Sequence, residues 1–194
     1  MDIGDLDDDP LRQLGTWIEE ARAGGDAIPE AMCLATAGAG GAPSARMVLL
    51  RGLDTGLAFF TDYGSAKAAD LAANSRAAVV FHLWAPEHRQ VRASGPVARV
   101  SGEESDRYWA TRPVASRWSA LASHQSTVVA GREALERAVA AVSAHPDPRR
   151  PDRWGGFRLT PDEVEFWAEG AARLHDRLRY RREAGAWIVE RLSP

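Results

Sequence analysis

The chain has one cysteine, Cys33, inside the apolar run "AMCLATA", so no internal disulfide can form and a reducing compartment is the expectation. In that run the thiol reads as buried packing, not as a nucleophile. No apolar stretch approaches the roughly 20 residues a membrane-spanning helix needs. The opening "MDIGDLDDDP" is acidic and lacks both the basic and the apolar part of a signal peptide. These absences predict a cytoplasmic protein with no membrane partner. Basic charge is not in excess either: Lys plus Arg number 24 against 27 Asp plus Glu, a formal net charge of -3. A general nucleic-acid binder, with its basic face and high overall charge, is therefore not expected. The five histidines, His82, His88, His124, His145 and His175, are scattered, and with one cysteine they form no set at ligand spacing, so no metal is expected. Neither G-x-S-x-G nor G-x-x-x-x-G-K-[ST] occurs, which removes the sequence support for acyl transfer at a nucleophile elbow and for P-loop nucleotide hydrolysis. "GAGGAP" lacks G-x-G-x-x-G spacing, joins two strand-like runs and reads as a hairpin turn.

What is present suffices for one core: 194 residues, 45% hydrophobic and 26% charged, read as a single domain over 1–194 with residues 1–9 flexible. "DPLRQLGTWIEEARAGG" puts Leu11, Leu14, Ile18 and Ala21 at helical spacing before a Gly pair suited to a C-cap. "AMCLATA", "ARMVLLRGL" and "LAFFTDY" follow as short apolar runs between glycine turns, the pattern of consecutive antiparallel strands. "SAKAADLAANSR" reads as a short helix with Ser65 at its N-cap. "AAVVFHLW" and "RQVRASGPVARV" read as strands. Ser101 and Glu104 have capping-box spacing and open a helical middle running to about residue 145. After the Pro-rich "HPDPRRPDRW", the chain returns to strands in "GGFRLTP", "EVEFWAEG", "RLHDRLRY" and "AWIVERL". The fold class is mainly β (α+β), an antiparallel barrel, closed or nearly so, with helices packed outside it.

The remaining chemistry lies in basic and amide side chains on or beside strands. "ARMVLLRG" sets Arg46 and Val48 on one face, Met47 and Leu49 on the other, and Arg51 at its end. "GSAK" places Ser65 and Lys67 at a helix start, where free N–H groups and the positive dipole end favour an anion. Arg46, Lys67, Gln125 and Ser126 together suit a phosphate monoester, although each alone reads as solvated surface. As one extended strand, "RLHDRLRY" would point Arg173, His175, Arg177 and Arg179 to a single face, a row of cations in an otherwise slightly acidic protein.

Taken in order, "ARMVLLRG", "GSAK", "EHRQV", "YWATRP", "HQS", "WGGFRL", "EFW" and "RLHDRLRY" resemble the pyridoxine 5'-phosphate oxidase family, from about Asp9 to Pro194. The resemblance implies an FMN-binding split β-barrel with peripheral helices, assembled as a homodimer whose FMN sites are shared between subunits. It implies FMN contacts at Arg46, Met47, Val48, Leu49, Thr61, Ser65, Lys67, Gln90, Trp167 and Arg177, with Gln125 and Ser126 supplied by the partner. It further implies a substrate-phosphate clamp of Arg51, Tyr108, Arg112 and Ser116, and a catalytic pair, Arg173 and His175, holding the substrate ring against the flavin. The implied reaction is oxidation of pyridoxamine or pyridoxine 5'-phosphate to pyridoxal 5'-phosphate, with O2 reduced to peroxide.

Departures from the family pattern fall mostly on the substrate side. Arg51 replaces a usual Lys, and Ala66 removes a cation beside the FMN phosphate. "RPVASRWSAL" sets Val114, Arg117, Trp118 and Leu121 beside the substrate position that the resemblance implies. "AEGAA" replaces a polar Gln-Gly run, and the basic-aromatic N-terminal lid is missing. Two alternatives stand beside the first reading: a phenazine-biosynthesis type of flavin oxidase, and a non-catalytic flavin-binding split barrel.

Overall fold

The computed structural model describes residues Met1–Pro194. Helix α1 (Pro10–Ala23) starts where Asp9 accepts a hydrogen bond from the Leu11 N–H at 2.9 Å, with Pro10 in the first helical position, and it stops at Gly24, ahead of Gly25 at φ +103°. Ten strands follow: β1 (Ala31–Ala37), β2 (Pro43–Leu49), β3 (Gly52–Leu53), β4 (Leu57–Asp62), β5 (Arg76–Leu83), β6 (Arg89–Arg99), β7 (Trp154–Leu159), β8 (Glu163–Ala168), β9 (Asp176–Glu183) and β10 (Ala186–Arg191). Helix α2 (Ala66–Ala73) lies between β4 and β5, while α3 (Gly102–Thr111), α4 (Val114–Ala122) and α5 (Arg132–Val142) lie between β6 and β7.

All pairings are antiparallel, in the order β10-β9-β8-β6-β5-β1-β2, and β7 joins β6 to β4. Strand β6 is the corner: residues 89–94 pair with β8, whereas Val97–Arg99 pair with β7. The switch needs a close backbone approach, since any Cβ on Gly95 would drive into the Thr160 carbonyl. The Arg51 N–H donates to the Ala58 carbonyl at 2.8 Å, folding the end of β2 toward β4 and curling the sheet into a half-barrel, of the expected split-barrel class but more open than a closed barrel.

Alternation decides what fills it. Ala77, Val79, Phe81 and Leu83 of β5 point inward, as do Val164 and Phe166 of β8 and Leu178 and Tyr180 of β9. Leu14, Trp17 and Ile18 of α1 cap this interior, and Trp17 meets Phe166 edge to face at 4.9 Å. Each such large side chain contributes about 1.5–3 kcal/mol by burial.

Three local expectations change. The helical middle is three helices, because the residue before Pro113 is driven to extended backbone (Arg112, ψ 142°) and α4 must restart. Ser65 occupies the N-cap position of α2 but makes no capping bond. The strand in "RLHDRLRY" begins only at Asp176: Ala172 and Arg173 have φ +54° and +63°, so Arg173 and His175 belong to a tight turn and not to the row of Arg177 and Arg179. Residues 1–9 contact the C-terminal strands, where Arg191 meets Asp2 at 2.6 Å and the Tyr180 hydroxyl donates to the Asp7 carbonyl at 2.6 Å.

Candidate functional site

A cleft of about 970 Å3 opens between the edge strand β2, the end of β4, the start of α2 and the α3–α4 corner. Because β2 ends the sheet, both of its faces reach the cleft: Arg46 and Val48 half-buried, Met47 (64% exposed) and Leu49 from the other side. Arg51, Thr61, Lys67, Tyr108, Arg112, Ser116, Gln125 and Ser126 line it too, so twelve of the eighteen residues singled out from the sequence share one cavity.

One pole of the cleft is built on α2. Lys67 is only 7% exposed, and its Nζ donates to Thr61 Oγ1 at 3.1 Å and to Gln125 Oε1 at 2.9 Å. Burial lowers its pKa, and the nearby Arg46 lowers it further, against a smaller opposing pull from Asp62. Arg46 is held by Thr36 Oγ1 at 2.7 Å and by Ser44, both of which also donate to Asp70. These three supporting residues were not anticipated, since nothing in "ATAGAGGAPS" or "AADLAA" marks them before the strands are paired. Ser65 Oγ, fully buried at the foot of α2, has no hydrogen-bond partner, and Ser126 sits in the left-handed region (φ +72°) with its Oγ accepting from the Ala66 N–H at 3.2 Å. Two cations and an orphaned buried hydroxyl at a helix N-terminus form a donor set suited to a phosphate dianion.

The other pole lies at the α3–α4 corner. Tyr108 stacks on Phe60 at 4.0 Å, and Arg112 lies over Trp154 at 4.6 Å with Nη1 buried and unpartnered. Burial lowers the Arg112 pKa, and the neighbouring Arg117 and Arg51 add to that, while Tyr108 opposes it. A half-buried guanidinium with one buried, open donor and no carboxylate partner suits a second anion.

Two expectations about this cleft are corrected. Gln125 and Ser126, assigned to the partner, are bonded to Thr61, Lys67 and Ala66 of their own chain. In the segment thought to crowd the substrate, the wall is Ser116, Ser119, Ala120 and Ser123, whereas Trp118 turns away to donate to the His145 carbonyl at 2.8 Å and Arg117 pairs with Asp147 at 2.6 Å. Helical spacing explains it, since residues 116, 119, 120 and 123 share one face of a helix and 114, 117, 118 and 121 another.

Gln90, Trp167, Arg173, His175 and Arg177 lie elsewhere in the same chain. Gln90, Trp167 and Arg177 are register partners on β6, β8 and β9, which stand three, four and five strands from β2, roughly 14, 19 and 24 Å along the sheet at about 4.8 Å per strand. Trp167 packs against His175 with ring centroids 4.7 Å apart. The Gly170 N–H donates to His175 Nδ1 at 3.2 Å, so Nδ1 acts as the acceptor and Nε2 is the nitrogen left for other contacts. Arg177 is not part of an open cationic row: it bonds Glu165 at 2.8 and 3.2 Å, Arg92 bonds the same carboxylate, and Arg179 pairs with Glu190 at 2.6 Å.

Comparison with known proteins follows the same division of the chain. Residues 26–146 match the family model described as pyridoxamine 5'-phosphate oxidase, and residues 154–194 match the pyridoxine 5'-phosphate oxidase C-terminal dimerisation region. The chain is 50% identical to the pyridoxine/pyridoxamine 5'-phosphate oxidases of Cupriavidus pinatubonensis and Burkholderia multivorans, covering 100% of this chain and 93% of each of those. Among solved structures, PhzG from Burkholderia lata in complex with tetrahydrophenazine-1-carboxylic acid superposes with a TM-score of 0.94 at 33% identity, over 98% of this chain and 95% of that one. An FMN-binding protein from Nostoc punctiforme, related to pyridoxamine 5'-phosphate oxidase, shares the fold with a TM-score of 0.75 at 21% identity, over 93% and 95% of the two chains.

Proposed function

The chain belongs to the pyridoxamine 5'-phosphate oxidase family, and from that premise we propose that it is an FMN-dependent oxidase converting pyridoxamine or pyridoxine 5'-phosphate to pyridoxal 5'-phosphate, with O2 reduced to H2O2. The observation that carries this reading is the two-poled cleft, with Lys67 and Arg46 at one end and the half-buried Arg112, its Nη1 buried and unpartnered, beside Arg51, Tyr108 and Ser116 at the other. Two phosphates, one on the cofactor and one on the substrate, satisfy both ends.

On this reading Arg46, Thr61, Ser65, Lys67, Gln125 and Ser126 hold the FMN phosphate, and Met47, Val48 and Leu49 line the ring system. Gln90, Trp167 and Arg177 of the partner subunit complete the flavin site in a homodimer, which fits their separation from the cleft within one chain and the match to a dimerisation region. Arg51, Tyr108, Arg112 and Ser116 take the substrate phosphate, and Arg173 and His175 of the partner subunit hold its ring. FMN, when bound, supplies a two-electron acceptor that passes the electrons on to O2. The protein's part is to hold the C4' carbon in place so that it gives up a hydride while its amine or hydroxyl gives up a proton; the alcohol becomes the aldehyde directly, whereas the imine formed from the amine is hydrolysed by water to the aldehyde with release of ammonia. His175, whose Nδ1 is occupied by the Gly170 N–H, presents Nε2 to the substrate.

A second reading, oxidation of a dihydrophenazine acid, is favoured by the superposition on PhzG. One experiment separates the two. Flavin-loaded protein is supplied with pyridoxamine 5'-phosphate in air and peroxide is followed; steady release supports the first reading, and its absence from flavin-loaded protein overturns it. Anaerobic bleaching of the flavin by a dihydrophenazine carboxylate, without turnover of the B6 phosphate, would establish the second.

A further inference from the structure

The Lys67 pole contains a carboxylate that opposes it. Asp62 ends β4, lines the cleft, has a side chain only 7% exposed, and acts on Lys67 by charge. Left to itself, a carboxylate there would repel an incoming phosphate and compete with it for Lys67. What restrains it is Arg153, in the loop before β7. Its Nη1 is ion-paired with Asp62 Oδ2 and donates to the Ser123 carbonyl at 3.0 Å, while Nη2 donates to the carbonyls of Ala120 at 2.9 Å and Leu121 at 2.7 Å. Those carbonyls belong to the end of α4, which lacks intrahelical partners for them and presents the negative end of its dipole. The other Asp62 oxygen is taken by the Gly64 N–H at 2.7 Å, and the Tyr63 N–H donates to the Arg153 carbonyl at 2.6 Å. Two residues beyond Ser123 comes Gln125, the acceptor for Lys67 and Thr61.

We propose that Arg153 is a positioning residue for the phosphate pole: it neutralises and turns Asp62 aside, and it fixes the end of α4 so that Gln125 and Ser126 meet Thr61, Lys67 and the start of α2. The role rests on the reading that this pole takes the FMN phosphate. A planar fork is required, because one side chain must reach a carboxylate and three carbonyls on two elements at once. Arg153 touches no ligand itself, so its effect should appear only where the phosphate is.

The test compares FMN with riboflavin, which has the same ring and no phosphate, by fluorescence titration of flavin-stripped protein. Arg153→Met is expected to weaken FMN binding by roughly tenfold, within the range of coupling between touching residues, and to leave riboflavin binding within about twofold. Adding Asp62→Asn to Arg153→Met should recover part of the FMN loss, since the unrestrained carboxylate is then gone. Equal losses for both flavins, or undiminished FMN binding, would overturn the proposal. If Arg153→Met does not fold, Arg153→Lys decides: it keeps a charge against Asp62 but loses the fork, and an FMN-selective loss supports the role whereas none overturns it. Wild-type protein that binds both flavins equally would remove the phosphate-pole reading itself, independently of any variant, and the role of Arg153 with it.

Discussion

Lys67 is an ammonium group held out of water against an arginine, with neutral oxygens as its direct partners. Burial lowers its pKa, so the unfolded chain keeps the proton to higher pH than the folded one does. Stability is therefore reduced throughout the neutral range, and the penalty recedes as pH rises toward the ordinary lysine value near 10.5. Replacing Lys67 by Met keeps the volume and removes the buried charge. Flavin-free Lys67→Met is expected to melt at or above the wild-type temperature at pH 7, with the difference shrinking as pH is raised toward 10, while its FMN affinity falls at least tenfold, about 1.4 kcal/mol. Calorimetry and flavin titration on the same preparations check both halves. A variant that loses stability while keeping FMN would make Lys67 a structural residue. This much was legible from "GSAK", because residue type and helix position define an anion site. The depth of burial was not, since it depends on Gln125, 58 residues along the chain, folding back over the amine.

At the scale of elements, most strands could be read from alternation, and β1, β2, β4, β5 and β8 lie where the apolar runs put them. The turn before β9 could not be read so. "RLHDRLRY" alternates throughout, but the steric demands of Gly170, whose Cβ position is filled by the Leu174 carbonyl, and the left-handed Ala172 and Arg173 override the pattern at its start. The cationic row was likewise half of a pattern, for its acids lie on neighbouring strands. Glu165, 2% exposed on β8, sits between Arg92 of β6 and Arg177 of β9 and ties three strands together. Burial pushes the Glu165 carboxyl up, but the bonds and charges of Arg177 and Arg92 together outweigh burial and hold it below the usual glutamate range. A depressed folded-state pKa gives stability that is present above about 4.5 and is lost as pH falls below that. Glu165→Gln should therefore cost about 1–3 kcal/mol at pH 7, and the denaturation curves of the two proteins should converge as pH drops below about 4. A constant gap across that range would mean that the carboxylate's charge is not what joins the strands.

For the molecule as a whole, the residue roles implied by family resemblance group in a way that no local pattern predicts. The cleft gathers Arg46 through Ser126 within one chain, while Gln90, Trp167, His175 and Arg177 lie strands away along the same sheet. Strand order created that separation, and strand order is a long-range property that alternation and turn signals do not encode. The assignment of Gln125 to the partner failed for the same reason, because only the fold shows that its loop returns to Lys67. If the two groups meet across a two-fold axis, each site takes Lys67 from one subunit and His175 of the partner subunit. Lys67→Met and His175→Ala damage opposite halves, so each homodimer carries two damaged sites. In a mixed dimer, one site collects both substitutions and the other collects neither. Co-folding equal amounts of the two inactive variants makes about half of the dimers mixed, each with one of its two sites intact, so activity should return to about a quarter of wild type. Were both groups to serve the same site within one chain, every site in the mixture would keep one substitution, and no activity would return even with mixed dimers verified by mass. The level of recovered peroxide release thus reads the architecture of the site directly.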